Sequence, residues 1–235
     1  RVDFFTLPEH LKNATISIEY KDFFKHKGLC TIGIIRSMIN IVLYGGIQGG
    51  GSTLTQQLVK NVLLTSEQTL PRKIKEAILA IQIERKYSKD EILHMYLNEA
   101  PYGGTAVGIE SASEYYFEKP ASELTLVESA FLSGLPQSPT RYSPYTGTKE
   151  AYTWRTGEVL RRMREDGYIT RQQEEDAKKS IESLVFAGGQ SGLKAPHFVA
   201  YVREELVRRF GESAVERGGL TVTTTLDYEL QKQAQ

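Results

Sequence analysis

Hydroxyl residues stand three positions ahead of a glutamate or glutamine at Thr6/Glu9, Thr53/Gln56, Ser88/Glu91, Thr125/Glu128 and Thr170/Gln173. This spacing lets a side chain and the third residue's backbone N–H cap each other, so it predicts five helix starts. Behind these starts apolar residues recur at helical intervals, as in Ile92, Leu93, Tyr96 and Leu97 and again in Val127, Ala130, Phe131 and Leu135. Gly167 falls where a helix would end. The pattern predicts a mainly α body.

Two stretches depart from a simple one-sided helix. From Leu29 to Tyr44 apolar residues cover nearly the whole circumference, with Arg36, Ser37 and Asn40 as the polar exceptions. Such a segment suits either a helix buried in a core or one that dips into a membrane interface. The helix opened by Thr69 and Pro71 places Arg72, Glu76, Ala80 and Ile83 on one face and Ile74, Ile78 and Ile81 on the other, which predicts a largely enclosed helix.

The texture changes from about Val185. Gly188, Gly189, Ser191 and Gly192 form a flexible stretch, and Pro196 then opens a helix with Val199, Val202, Leu206 and Phe210 on its apolar positions. Alternating β-branched residues at Leu220–Thr225 predict a strand. A lone strand needs a partner sheet, so a domain of residues 1–190 followed by the beginning of a linker, 191–235, is expected, and the chain reads as a piece of a longer protein.

Lys and Arg number 29 and so do Asp and Glu. A net charge of zero argues against a nucleic-acid partner held by a broad basic surface. One cysteine, Cys30, excludes an internal disulfide, and Cys and His nowhere take zinc-site spacing. No apolar run reaches the roughly 20 residues a spanning helix needs.

Chemistry concentrates in three segments. Gly49-Gly50-Gly51-Ser52-Thr53 opens a helix, and such a turn brings backbone N–H groups, hydroxyls and the positive helix end to one place. It can cradle a pyrophosphate, or it can be an ordinary glycine loop with a good cap. It is not a nucleotide P-loop, because no lysine follows the glycines directly and no strand precedes them. Glu76 on an enclosed helix needs a partner, and Arg72 one turn earlier supplies one; on a surface the same pair would contribute little. Glu19 precedes the aromatic and basic cluster Phe23, Phe24, Lys25, His26 and Lys27. Two carboxylates around an anion-cradling turn suit glycosyl transfer from a phosphorylated donor: one takes a hydroxyl proton while other groups stabilise the leaving phosphate.

In this order the segments resemble the peptidoglycan glycosyltransferase domain of class A, bifunctional penicillin-binding proteins. The family's E-D-x-x-F-x-x-H-x-G is matched at Glu19, Phe23, His26 and Gly28. Its G-G-S-T-x-T-Q-Q is matched from Gly50 to Gln57, continuing to Lys60 and Asn61, and its R-K-x-x-E at Arg72, Lys73 and Glu76. Further likeness runs through Tyr96-Leu97-Asn98, Gly108, Tyr116-Phe117 and Ala130 to Pro139. Two positions depart: Tyr20 stands where the family has aspartate, and Gly49 is an extra glycine.

The resemblance implies a lysozyme-like fold with a large helical lobe and a small membrane-dipping lobe, to which Leu29–Tyr44 would belong. It implies an inverting transferase that polymerises lipid II, a disaccharide-pentapeptide on polyprenyl pyrophosphate, into β-1,4 glycan strands. Glu19 and Glu76 would be catalytic. Phe23, His26, Gly50, Ser52, Thr53, Gln57, Lys60, Arg72 and Lys73 would bind substrate. No cofactor is required by this chemistry, although a divalent cation, Mg or Mn, is compatible with the pyrophosphate. Lipid II, the growing strand, the membrane interface and a transpeptidase domain in the intact protein are the implied partners, and the extracytoplasmic face of the bacterial cell membrane is the implied location. The competing readings are a lysozyme-like or lytic transglycosylase and an inactive cell-wall binding module.

Overall fold

A computed structural model of the chain describes residues 2–20, 23–24, 53–63, 70–187, 196–211, 215, 222–227 and 230–231. The chain divides into two compact units, Arg1–Gly188 and Gly189–Gln235. The membrane dip expected at Leu29–Tyr44 lies outside the described residues, as does the glycine turn through Ser52.

The first unit is mainly α. Its described helices are α1 (Glu9–Glu19), α2 (Leu54–Leu63), α3 (Leu70–Lys86), α4 (Lys89–Glu99), α5 (Ile109–Phe117), α6 (Leu126–Gly134), α7 (Pro139–Tyr142), α8 (Lys149–Glu165) and α9 (Arg171–Ile181). Capping boxes form at Ser88, Thr125 and Thr170. At Thr53 the hydroxyl accepts from Gln56 N while the Thr53 N–H donates to Gln56 Oε1. Thr6 does not cap α1. Pro8 takes the N-cap position, and Thr6 instead ends a 3-10 turn, its hydroxyl donating back to Asp3 O. A three-residue spacing cannot distinguish these outcomes, because either satisfies the hydroxyl locally.

The core is built around α6, whose Val127, Ser129, Ala130, Phe131, Leu132, Ser133 and Gly134 are all buried. Helix α1 packs on α6 and α8, while α2 packs on α3 and α4. At the α1/α6 contact, Thr15 and Ser133 pair their hydroxyls in the interior, so small polar residues there allow close approach without leaving that pair unsatisfied. Glu84 of α3 accepts from Thr55 of α2 and from Lys89 of α4, which cross-links the three helices.

Between α4 and α5 a hairpin intervenes, with β1 (Pro101–Gly103) antiparallel to β2 (Ala106–Val107). No alternating run in the sequence is long enough to announce it. Gly108 follows with φ 83° and ψ 152°, and a Cβ there would come within 2.5 Å of Asn98 O. Both the backbone region and the close approach exclude a side chain. Gly108→Ala should lower unfolding free energy by about 1–3 kcal/mol, read as a reduced urea midpoint at constant slope.

In the second unit α10 (Pro196–Phe210) forms as its opening proline predicts. Phe198, Val202 and Leu206 of α10 line one apolar groove with Val222 and Leu226. The strand expected at Leu220–Thr225 is not seen in its described part. Val222–Asp227 carry no ladder pairing, and the sole sheet among the described residues is the β1/β2 hairpin. β-branched alternation favours a strand only when a neighbour accepts its hydrogen bonds.

Candidate active site

Glu19 is the last residue of α1, where the helix presents unpaired carbonyls. Two neighbours close that end. The Tyr20 N–H donates to Ile16 O at 2.8 Å, and Arg162 of α8 donates from a terminal nitrogen to Ile18 O at 3.1 Å. The guanidinium therefore fixes the turn that carries the carboxylate.

The carboxyl itself is held from one side only. Gln57 of α2 donates from Nε2 to Glu19 Oε2, and the Tyr96 hydroxyl of α4 donates to Gln57 Oε1 at 3.3 Å. Glu19 Oε1 is buried and has no hydrogen-bond partner among the described residues. Burial pushes the Glu19 carboxyl above its ordinary range, opposed by the Gln57 hydrogen bond and then by the positive charges of Arg155 and Arg162. Desolvation wins because it penalises the ionised form directly, while one amide and two offset cations recover only part of the lost hydration.

Arg155 sits on the buried face of α8 with Tyr152, Thr156, Val159, Leu160 and Met163. Its Nε donates to Gly134 O at 3.1 Å and its guanidinium lies 5.4 Å over the Tyr142 ring. A Cβ at Gly134 would come within 2.9 Å of Arg155 Cγ, so glycine is what lets the arginine pass α6. Burial lowers the Arg155 pKa, with Glu19 the first of the groups that raise it. Tyr102 of β1 is 1% exposed, and burial followed by the Glu19 charge keeps its phenol neutral.

The second carboxylate is enclosed more completely. Glu76 is 1% exposed; its Oε1 accepts from Lys73 Nζ and its Oε2 lies 3.7 Å from a terminal nitrogen of Arg72. The expected Arg72 partner is present, but Lys73 makes the shorter contact. The expectation that α3 is enclosed on both apolar faces is corrected. Glu76, Ala77 and Ala80 are buried, whereas Ile74 and Ile78, half a turn away, are 40% and 50% exposed. Because α2 covers α3 from one side, only the small-residue face is sealed.

Other expected substrate contacts divide as follows. Lys60 is exposed and Thr53 is half-buried, its hydroxyl engaged in the cap. Gln57 is drawn onto Glu19, so its amide serves the carboxylate. Phe23, expected among the substrate-binding residues, is instead a core side chain: it is 1% exposed, with Lys89 Nζ 4.5 Å over its ring. The neighbouring Phe24 is the exposed member of that pair. His26, Gly50 and Ser52 lie outside the described residues.

Among the described residues no three His, Cys, Asp or Glu side chains converge; a cation at a pyrophosphate would need only one or two carboxylates beside the substrate's own oxygens. Glu76 is engaged by two cationic side chains, Lys73 and Arg72.

Three side chains of the site were missed by sequence reasoning: Tyr96 in its hydrogen-bonding role, Arg155 and Arg162. For Arg155 a signal existed, since an arginine interrupts the apolar stripe Tyr152, Val159, Leu160 and Met163.

The family profile described as Transglycosylase matches residues 1–164. The chain belongs to the transglycosylase family, as a peptidoglycan glycosyltransferase domain of the class A penicillin-binding protein type. It is 41% identical over 230 residues to Penicillin-binding protein 1A of Aquifex aeolicus (strain VF5), covering 97% of this chain and 31% of that protein. It is 38% identical over 229 residues to Penicillin-binding protein 1A of Escherichia coli (strain K12), covering 97% of this chain and 27% of that one. A crystal structure of Penicillin-Binding Protein 1A from Haemophilus influenzae matches 69% of this chain and 20% of its own, at 29% identity and a TM-score of 0.46. The chain thus spans about a third or less of the length of these relatives.

Proposed function

We propose that the domain polymerises lipid II, joining the 4-hydroxyl of an acceptor lipid II to the anomeric carbon of a growing lipid-linked strand. In this reaction Glu19 takes the hydroxyl proton. The oxygen forms its bond to the anomeric carbon as the bond to pyrophosphate breaks. The electron pair leaves on the polyprenyl pyrophosphate, and an α-linked donor becomes a β-1,4 link with inversion. The observation that carries this reading is the Glu19 carboxyl, which is anchored through Oε2, unpartnered at Oε1 among the described residues, and raised in pKa by burial. A carboxylate so arranged is a stronger base than an exposed one and has one oxygen available to a proton.

Arg72, Lys73 and Lys60 would neutralise the departing pyrophosphate, while Glu76, enclosed between Lys73 and Arg72, would hold those two cations in place. Because the donor carries a polyprenyl chain, the domain would work at the outer face of the bacterial cell membrane, joined in the intact protein to a transpeptidase domain. Among the described residues no helix is long and apolar enough to cross a membrane. An interfacial dip by the apolar segment Leu29–Tyr44 would be the contact. If that is so, serines at Ile34, Met38 and Ile41 should weaken liposome binding and leave the helical circular dichroism unchanged.

Incubation of the purified protein with lipid II separates this reading from its rivals. Long glycan with released polyprenyl pyrophosphate is expected. Shortening of preformed glycan without polymer would indicate a lytic enzyme, and binding without either product an inactive cell-wall module. The cationic pair around Glu76 favours the synthase, since a lytic enzyme has no pyrophosphate to hold.

A further inference from the structure

A glutamine beside a carboxylate can present either end of its amide. With Nε2 forward it donates to the ionised carboxylate. With Oε1 forward it accepts from, and so favours, the protonated acid. Which end faces Glu19 therefore decides whether Gln57 helps or hinders a general base. Nothing in α2 fixes the choice, because Gln57 can rotate about its own terminal torsion.

Tyr96 supplies what α2 lacks. It belongs to α4, is 1% exposed, and lies on the same buried stripe as Ile92, Leu93 and Leu97. That hydroxyl donates to Gln57 Oε1 at 3.3 Å, and the opposite end of the amide donates to Glu19 Oε2. We propose that Tyr96 is a positioning residue for the transfer reaction, acting through Gln57 to keep Glu19 ionised and anchored at Oε2 so that Oε1 is left for the acceptor hydroxyl. Nothing in the motifs assigns this role to Tyr96, and the inference rests on the reading of Glu19 as base.

The surroundings suit a device that works by hydrogen-bond direction. Burial, then the charge of Glu19, hold the Tyr96 phenol well above its ordinary pKa, so it stays a neutral donor throughout the working range. Charged and titratable groups facing Glu19 come from α8 as Arg155 and Arg162, from β1 as Tyr102 and from α4 as Tyr96; α2 contributes the neutral amide. The two arginines pull the carboxyl pKa down from a distance but choose neither oxygen. The amide contact does both.

Tyr96→Phe removes one hydroxyl and keeps the ring that packs the core. The amide is then free to turn its carbonyl toward Glu19, which favours the protonated acid. The acid limb of lipid II polymerisation in the intact chain should move up by about one pH unit, equivalent to roughly a tenfold loss of rate on that limb. At alkaline pH much of the rate should return, and KM for lipid II should stay within about twofold. In a Gln57→Leu background the same change should add less than about twofold, because the relay has already lost its middle member. Should Tyr96→Phe fold poorly, Tyr96→His, a smaller ring that keeps a donor, tests the tyrosine half by keeping the acid limb near its wild-type position, and a limb shifted as far as in Gln57→Leu overturns the relay. An acid limb that stays in place in folded Tyr96→Phe, or an equal loss with and without Gln57, overturns the relay. That outcome is distinct from failure of the Glu19 reading, which shows as wild-type polymerisation by Glu19→Gln.

Discussion

Glu19→Gln should reduce lipid II polymerisation by about 10²–10⁴-fold, the range general-base catalysis contributes, while leaving donor binding near its original strength. Glutamine keeps the shape and can still bond to Gln57, but it has no lone pair basic enough to take the acceptor proton. The loss should not come from unfolding. Burial holds the folded-state carboxyl pKa above its unfolded value, so ionising Glu19 opposes folding. Its contribution is most favourable below the unfolded pKa and is lost as pH rises through the folded one. At neutral pH the neutral amide removes that opposition, and the melting temperature of Glu19→Gln should equal or exceed that of the wild type. A dead, stable variant is the signature of a residue kept for chemistry at a cost to stability.

The largest stability effect is expected at Lys73. Glu76 is 1% exposed and accepts from Lys73 Nζ; Arg72 approaches its other oxygen only to 3.7 Å. Lys73→Met leaves a buried carboxylate short of its nearest countercharge, which typically costs about 3–5 kcal/mol. For a unit of this size that corresponds to a fall of roughly 10 °C in melting temperature. Pairing it with Glu76→Gln should recover much of the loss, since replacing both members of a buried ion pair is far milder than removing one. Polymerisation should stay low in the double variant, because one of the three charges that would meet the pyrophosphate is gone. Thermal melts of the three proteins check the first part and lipid II turnover the second. Equal melting temperatures for Lys73→Met and wild type would mean that Glu76 is stabilised by something other than this contact.

Local features were legible in the sequence and tertiary ones were not. Ser88/Glu91, Thr125/Glu128 and Thr170/Gln173 form the capping boxes their spacing predicts, because a cap is made within one turn. The buried stripe Ile92, Leu93, Tyr96 and Leu97 follows from periodicity for the same reason. Ile74 and Ile78 could not be resolved, since two apolar faces on one helix do not say which face a neighbour covers. Only the packing of α2 on α3 decides it. The link from Glu19 to Gln57 and on to Tyr96 joins residues 38 and then 39 positions apart. No short spacing encodes it. The motifs bring Glu19 and Gln57 into view but not the bond by which the Gln57 amide donates to the carboxylate. Phe23 packs into the core, as an aromatic inside a motif can.

The pH dependence of kcat/KM for lipid II polymerisation tests the role of Glu19 most directly, measured from about pH 4 to pH 9 on the wild type and on Glu19→Gln. A rate that falls toward acid through a midpoint above the ordinary glutamate value of 4.5, with that limb missing from whatever activity Glu19→Gln retains, is expected of a buried carboxylate acting as base. A wild-type rate that stays level down to the lowest pH at which the protein is folded, or an unchanged acid limb in Glu19→Gln, would contradict it.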